Sequence, residues 1–190
     1  MQDEELYATA LEIRILTKTL ASIATRSLEQ HLQEHGAPIS ALQHGVMRML
    51  CHHQHTSSEL SRRMNLDPAT LVPVIDALER NGYVKRGKDP NDRRRSPLLL
   101  TEAGADLLAR VPLYNRSDAL ACALAKLGAE PTCELLRLLR ELLGHMAPDR
   151  ELANHLASLA QTARDMFRAQ AAAGDSAPQY GDAIDQTATG

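Results

Sequence analysis

Aromatic residues are almost missing from this chain. Of 190 residues only 3% are aromatic, with no Trp and a single Phe. A core must therefore be built from Leu, Ala, Val, Ile and Met, a palette that suits packed helices better than sheets. Cysteine is scarce too: Cys51, Cys122 and Cys133 are an odd set with no CxxC spacing. Neither a disulfide framework nor a zinc ribbon is expected from them. No apolar run approaches the roughly 20 residues of a membrane span. The N-terminus is acidic and lacks the apolar segment of a secretory signal. These absences predict a reducing, cytoplasmic setting with no membrane partner. A glycine-rich cofactor loop, a nucleophile elbow and paired catalytic carboxylates are missing as well. The expectation is a non-enzyme that needs no cofactor and no metal.

Net charge is −3, which alone argues against nucleic acid. Its distribution argues the other way. Between Ser57 and Arg95 nine Lys/Arg stand against six Asp/Glu, a local +3 that leaves −6 for the rest. A basic lobe on an acidic body suits phosphate contact, which supplies much of a DNA reader's affinity.

That basic stretch is also the most patterned. Thr56-x-x-Glu59 is a capping box, and Leu60 and Met64 give the helix it starts an inward face. Asp67-Pro68 starts a second helix, with a side-chain acceptor followed by a proline that loses no hydrogen bond at the first helical position. Leu71, Val74, Ile75 and Leu78 then form one stripe, and Gly82 ends it as a left-handed cap. Two capped helices with Leu66 and Asp67 between them outline a helix-turn-helix. Two short extended runs follow, at 83–86 and 98–100, joined by Gly87 to Arg95 with Asp-Pro-Asn turn chemistry and three successive arginines. Pro97 marks an edge strand. The predicted fold is mainly α with a small two-stranded β wing.

Three motifs appear here in order. They are Leu78-x-x-x-Gly82-Tyr83-Val84-x-Arg86, Asp89-Pro-x-Asp92-Arg93-Arg94, and Leu100-Thr101-x-x-Gly104. Together they resemble the signature of the MarR (multiple-antibiotic-resistance regulator) family, with matching spacing from about Leu6 to Met146. The resemblance implies a homodimeric winged helix-turn-helix transcription factor, more often a repressor, released by a small molecule or an oxidant. It implies a helical dimerisation domain formed by the N- and C-terminal helices, and a pseudo-palindromic double-stranded operator.

The expected division follows the helical patterns. Residues 1–38 form the N-terminal dimerisation helix, with Leu6, Ala10, Ile13, Thr17, Leu20 and Ala24 on one face and Leu16, Ile23 and Leu28 widening it. His31 and His35 should be exposed at its end. Residues 39–101 form the DNA-binding lobe, whose first helix buries Leu42, Val46, Met49 and Leu50. Residues 102–147 return to the dimer. One helix starts at Thr101 and runs to Leu127, bent or broken at Pro112; a second carries Leu135, Leu136, Leu138, Leu139, Leu142 and Leu143. That leucine density exceeds one face and calls for burial by a second subunit. An extra helix is expected over 148–170 and a disordered tail over 171–190.

For DNA contact the outward positions of the second motif helix are Ala69, Thr70, Val72 and Pro73. Only Thr70 offers a hydrogen bond to a base edge; the others suit thymine methyls, a weaker discrimination. Pro73 should kink or tighten this helix. The stretch Thr70-Leu71-x-Pro73 resembles peroxide-sensing members, whose reactive first-helix cysteine has no counterpart here. Weight therefore falls on the wing. The resemblance places Arg93 and Arg94 in a minor groove, which draws arginine when narrow. Asp89 or Asp92 would hold one of them. Arg95, Lys85 and Arg86 are assigned to phosphates, with Ser57 and Arg62 flanking the backbone from the preceding helix. For an effector, small and aromatic or amphipathic, the candidates are Tyr114, Arg26, His44 and Met47.

Cys51-His52-His53-Gln54-His55 offers four metal-ligating side chains in five positions. Neighbouring helical side chains diverge, so 51, 52 and 53 cannot meet on one ion. The alternative function is a redox- or metal-responsive regulator on the same scaffold, using Cys51, Cys122 or Cys133. The plainer expectation for these cysteines is burial as small hydrophobes.

Overall fold

The start and stop signals become helix ends in a computed structural model, which describes residues 2–88, 96–112 and 118–146. In chain order the elements are α1 (Gln2–Glu34), α2 (Ala41–His52), α3 (Ser57–Met64), α4 (Pro68–Arg80), β1 (Val84–Arg86), β2 (Leu98–Leu100), α5 (Glu102–Arg110), α6 (Ala119–Leu127) and α7 (Ala129–Met146). The chain divides into one unit over Met1–Leu142 and a second over Leu143–Gly190. The expected helix at 148–170 and tail at 171–190 lie outside the described residues.

Each lobe helix begins at a side chain that satisfies its first amides. Ser40 accepts from the Gln43 amide while Gln43 reaches back to the Ser40 amide, at 3.2 and 2.9 Å. Thr56 and Glu59 repeat that box on α3, at 3.2 and 2.8 Å. Asp67 accepts from Ala69 on α4 at 2.7 Å, and Thr101 accepts from Gly104 on α5 at 3.1 Å. Such caps contribute about 1 kcal/mol each. At the far end of α4, Gly82 (φ +75°) sits in the left-handed region. There the Tyr83 amide donates to the Leu78 carbonyl and the Gly82 amide to that of Glu79, a Schellman closure.

The sheet is β1 against β2, antiparallel, pairing Val84 with Leu100, Lys85 with Leu99 and Arg86 with Leu98. The Leu98 amide also donates to the His55 carbonyl at 2.8 Å, so a one-residue bridge ties β2 to the chain just before α3. Gly104 lies so close to Tyr83 that a Cβ would overlap the Tyr83 carbonyl oxygen. That close approach gives the glycine of Leu100-Thr101-x-x-Gly104 its physical reason.

The core joins the end of α1 to the lobe. Leu32, Val46, Met47, Leu60, Leu71, Ile75, Leu78, Leu98, Leu107 and Val111 are essentially sealed from solvent. Of the expected α2 face, Val46 and Leu50 are buried while Leu42 and Met49 are half-buried. The predicted 101–127 helix is two helices: α5 ends at Arg110, and Pro112, with no amide to donate, follows the break at Val111. Ser27 of α1 then accepts from the Ala119 amide at 3.0 Å, which sets α6 against α1. Most of α1 and all of α6 and α7 lie at the surface of the single chain, leucines included.

Two expectations need correcting. His31 is not an exposed helix-end residue: it is 5% exposed, and its Nε2 donates to the Pro112 carbonyl at 3.1 Å. The cysteines are not small buried hydrophobes. Cys51, Cys122 and Cys133 are all exposed in the single chain, because α6 and α7 have no buried residue among them and Cys51 sits on the outer side of α2.

Candidate nucleic-acid interface

The helix pair is held in one geometry by its turn. Asn65 adopts the left-handed conformation (φ 50°, ψ 47°), and the Leu66 amide donates to the Ser61 carbonyl at 3.0 Å. The Ser61 hydroxyl, itself buried, returns the bond to the Leu66 carbonyl at 2.5 Å. The turn therefore begins one residue earlier than the Leu66-Asp67 spacing suggests. Asn is the non-glycine residue best suited to that backbone.

On α4 the inward residues Leu71, Ile75 and Leu78 are buried, which leaves Ala69, Thr70, Val72 and Pro73 all exposed on the opposite side. Val72 at 43% exposure is a large apolar side chain given to solvent on a helix that has a core available. The helix continues through Pro73 to Arg80. Because proline has no amide, the Ala69 carbonyl loses its helical donor within this exposed patch. Ser57 is half-buried in the first turn of α3, and Arg62 is exposed near its end.

The wing root is tied back to α4. Arg86 on β1 reaches Glu79 at 2.8 Å and Asp76 at 3.1 Å, both on α4, with its own side chain 41% exposed. In the chain by itself the Arg86 guanidinium, assigned from the sequence to phosphates, braces the wing against α4 and stays partly open to solvent. Lys85, its neighbour on the strand, is exposed. Asp89, Asp92, Arg93, Arg94 and Arg95 lie outside the described residues. Beneath the wing root, His55 is buried, and that burial, with Arg63 nearby, pushes its imidazole below the ordinary value despite Glu59.

The four effector candidates do not share a setting. Met47 is fully enclosed in the core. His44 is buried against Arg48, whose Nε donates to its Nε2 at 3.1 Å. Arg26 is exposed and folds back onto Ser22 of its own helix at 3.4 Å. Tyr114 lies outside the described residues. Among the described residues no cluster of three or more His, Cys, Asp or Glu could hold a metal ion. No described helix is long and apolar enough to cross a membrane.

Arg48 is a functional candidate that sequence reasoning does not find. From α2 it donates to the Leu108 carbonyl at 3.3 Å and the Val111 carbonyl at 2.5 Å as well as to His44. The only signal is the i, i+4 spacing of His44 and Arg48 on a helix that is otherwise apolar on that side.

The chain is similar to known proteins over this lobe. The MarR family model matches residues 39–96, from just before α2 to the returning strand of the wing. The chain is 31% identical over 93 residues to the HTH-type transcriptional repressor NicR of Pseudomonas putida, covering 48% of this chain and 58% of that one. It is 42% identical over 48 residues to the HTH-type transcriptional regulator SarZ of Staphylococcus haemolyticus, covering 25% and 33%. The matched stretches thus span less than two thirds of these relatives' own length. Among solved structures, a mutant MarR from E. coli complexed with operator DNA superposes with a TM-score of 0.64 at 25% identity, covering 73% of this chain and 98% of that chain. CouR from Rhodococcus jostii RHA1 bound to p-coumaroyl-CoA shares the fold, with a TM-score of 0.55 at 24% identity over 72% of this chain and 93% of that one.

Proposed function

We propose that the chain is a member of the MarR family, whose model matches residues 39–96, and that it is a homodimeric transcriptional regulator, most simply a repressor, that binds a pseudo-palindromic operator. The observation that carries this reading is the face of α4: Ala69, Thr70, Val72 and Pro73 are all presented outward from a helix whose other side is sealed into the core. A helix of that kind enters a major groove with its N-terminal residues at base edges. Ala69, Val72 and Pro73 offer apolar contact to thymine methyls and Thr70 a hydrogen bond. Arg93 and Arg94 enter the flanking minor groove, and Arg95 and Lys85 meet phosphates, with Ser57 and Arg62 beside the backbone. Arg86 sets the angle of the wing through Asp76 and Glu79. Asp89 and Asp92 support the arginines beside them.

The second copy is supported by the apolar surface left over. Leu6, Leu16 and Leu20 of α1 are 66%, 53% and 57% exposed, and the α7 leucines between 135 and 143 are 40–48% exposed. Six leucines within nine residues of α7 are more apolar surface than one short stretch ordinarily leaves to water. Two lobes held by these helices would present their α4 helices about 34–36 Å apart, one turn of DNA. A small effector that prefers another spacing would release the operator. The setting is the cytoplasm.

Fluorescence anisotropy with duplexes from the DNA adjoining the gene tests the reading. Specific binding whose affinity falls steeply with salt is expected. Arg93→Ala with Arg94→Ala should lower affinity and shallow that salt slope by about 0.9 for each phosphate no longer neutralised. Affinity and slope untouched by that double change would reject DNA reading through the wing. A redox-responsive variant of the function is favoured by one observation, the exposure of Cys51 on α2, outside the helices proposed to pair. Thiol titration with and without oxidant, read against operator affinity, decides it.

A further inference from the structure

The junction between the lobe and α6 is gripped from both sides. Where α5 ends, its last carbonyls lose their helical partners and carry the negative end of the helix dipole. Arg48 of α2 reaches two carbonyls there: Val111 at 2.5 Å, and Leu108 at 3.3 Å, which also accepts from the Val111 amide at 3.2 Å. His31 of α1 takes the next, Pro112, at 3.1 Å. His44, also on α2, accepts from the Arg48 Nε at 3.1 Å and fixes the roll of the guanidinium. His35 donates to the His31 carbonyl at 2.9 Å, and their rings lie 4.3 Å apart. His31 and His44 are 5% and 7% exposed.

Burying an arginine, even in part, is expensive, and an apolar residue of similar volume is often at least as stable. The hydrogen-bond acceptors of Arg48 are two carbonyls and an imidazole nitrogen, and burial disfavours its charge more than the nearby Cys51 thiol favours it. What this arrangement adds over an apolar filling is direction. A guanidinium has a fixed donor fork, so it admits one placement of the α5 terminus relative to α2. Without it, the connection leading into Pro112 would be located by nondirectional packing and the His31 bond to the Pro112 carbonyl, which does not fix α2.

We propose that Arg48 is a positioning residue that fixes how the winged lobe is set on the long helix α1, by holding the end of α5 between α2 and the His31 side of α1. It acts through backbone carbonyls and touches no DNA. Its consequence for operator affinity rests on the regulator reading above; its consequence for geometry does not.

The test uses the full chain with Cys51, Cys122 and Cys133 changed to Ser and spin labels at Lys18→Cys on α1 and Arg80→Cys on α4. Excess unlabelled chain restricts the measured distance to one subunit. One narrow distance is expected for the parent. Arg48→Met should broaden it, and Arg48→Lys, which keeps the charge but not the fork, should not restore it. His44→Gln preserves an acceptor and should stay narrow, whereas His44→Ala should broaden partially; this pair serves if Arg48→Met does not fold. Operator affinity should fall about tenfold in Arg48→Met with its salt slope unchanged, since every phosphate stays neutralised as before. An unchanged distance in folded Arg48→Met would overturn the proposal. So would a salt slope shallower by about one, which would make Arg48 a phosphate ligand. If the distances respond as expected but the parent binds no duplex, the regulator reading fails and the positioning role stands.

Discussion

Leucine has opposite fates in two regions of this chain. In the winged lobe, Leu60, Leu71, Leu78, Leu98 and Leu107 are 0–1% exposed, closed over by α2, α4, α5 and the wing root of the same chain. In α7, six leucines from 135 to 143 are 40–48% exposed, and neither α6 nor α7 holds a buried residue. Leucine supplies the apolar surface in both regions; the difference is geometry. A lobe with four short helices and a strand pair can enclose a core, while a few long helices cannot cover one another on every side. The lobe, with Leu32 at the end of α1, is complete within one chain. The long helices are finished by the second copy we propose.

The largest effect that would break this comparison comes from the long helices. Leu138→Glu with Leu142→Glu places two carboxylates on the α7 surface. Sedimentation should show a monomer with the lobe still folded, and operator binding should drop at least about a hundredfold as the two lobes cease to bind as one unit. A dimer that survives would mean the partner is held elsewhere. Next comes the lobe core: Leu78→Ala removes a side chain with no solvent exposure. It should cost about 2–5 kcal/mol by chemical denaturation, whereas Leu138→Ala, half open in the single chain, should cost far less per chain once dimers are dissociated.

A smaller effect belongs to pH. Burial first, then the nearby Arg48 and His31, hold the His44 imidazole at about 4, well below its ordinary 6.5. The unfolded chain therefore takes up a proton at this site before the folded one does. Stability from this group is fully present above about pH 6.5 and declines as pH falls toward 4, by up to about 3 kcal/mol. Urea titrations at stepped pH should show that decline, and His44→Gln should flatten it. The smallest change sharpens the picture of the helix pair: Thr56→Ala removes the α3 capping box and should cost about 1 kcal/mol without altering the oligomer.

Much of the lobe is legible in the sequence because its signals are local. Thr56, Asp67 and Thr101 cap helices that begin one residue later, Gly82 ends α4, and the wing strands fall on the extended runs. What the sequence hides is long-range and made through backbone. Arg48 finds its carbonyls 60 and 63 positions away, and His31 finds its own 81 away. A carbonyl has no identity in a sequence, so neither bond leaves a pattern. The bridge from Leu98 to His55 is hidden for the same reason. Arg86 reads as a phosphate ligand because its charge is legible; its carboxylate partners on α4 become legible only once β1 lies beside that helix. The leucines of α7 are too many for one face, and the single chain leaves them at the surface.

The proposed pairing of two self-contained lobes is tested most directly by the mass of the DNA complex. Sedimentation equilibrium of the full chain on a duplex carrying one operator should give two chains per duplex, and a duplex cut to one half-site should bind far more weakly. A stable complex of one chain per duplex, with half-site and full-site affinities equal, would contradict it.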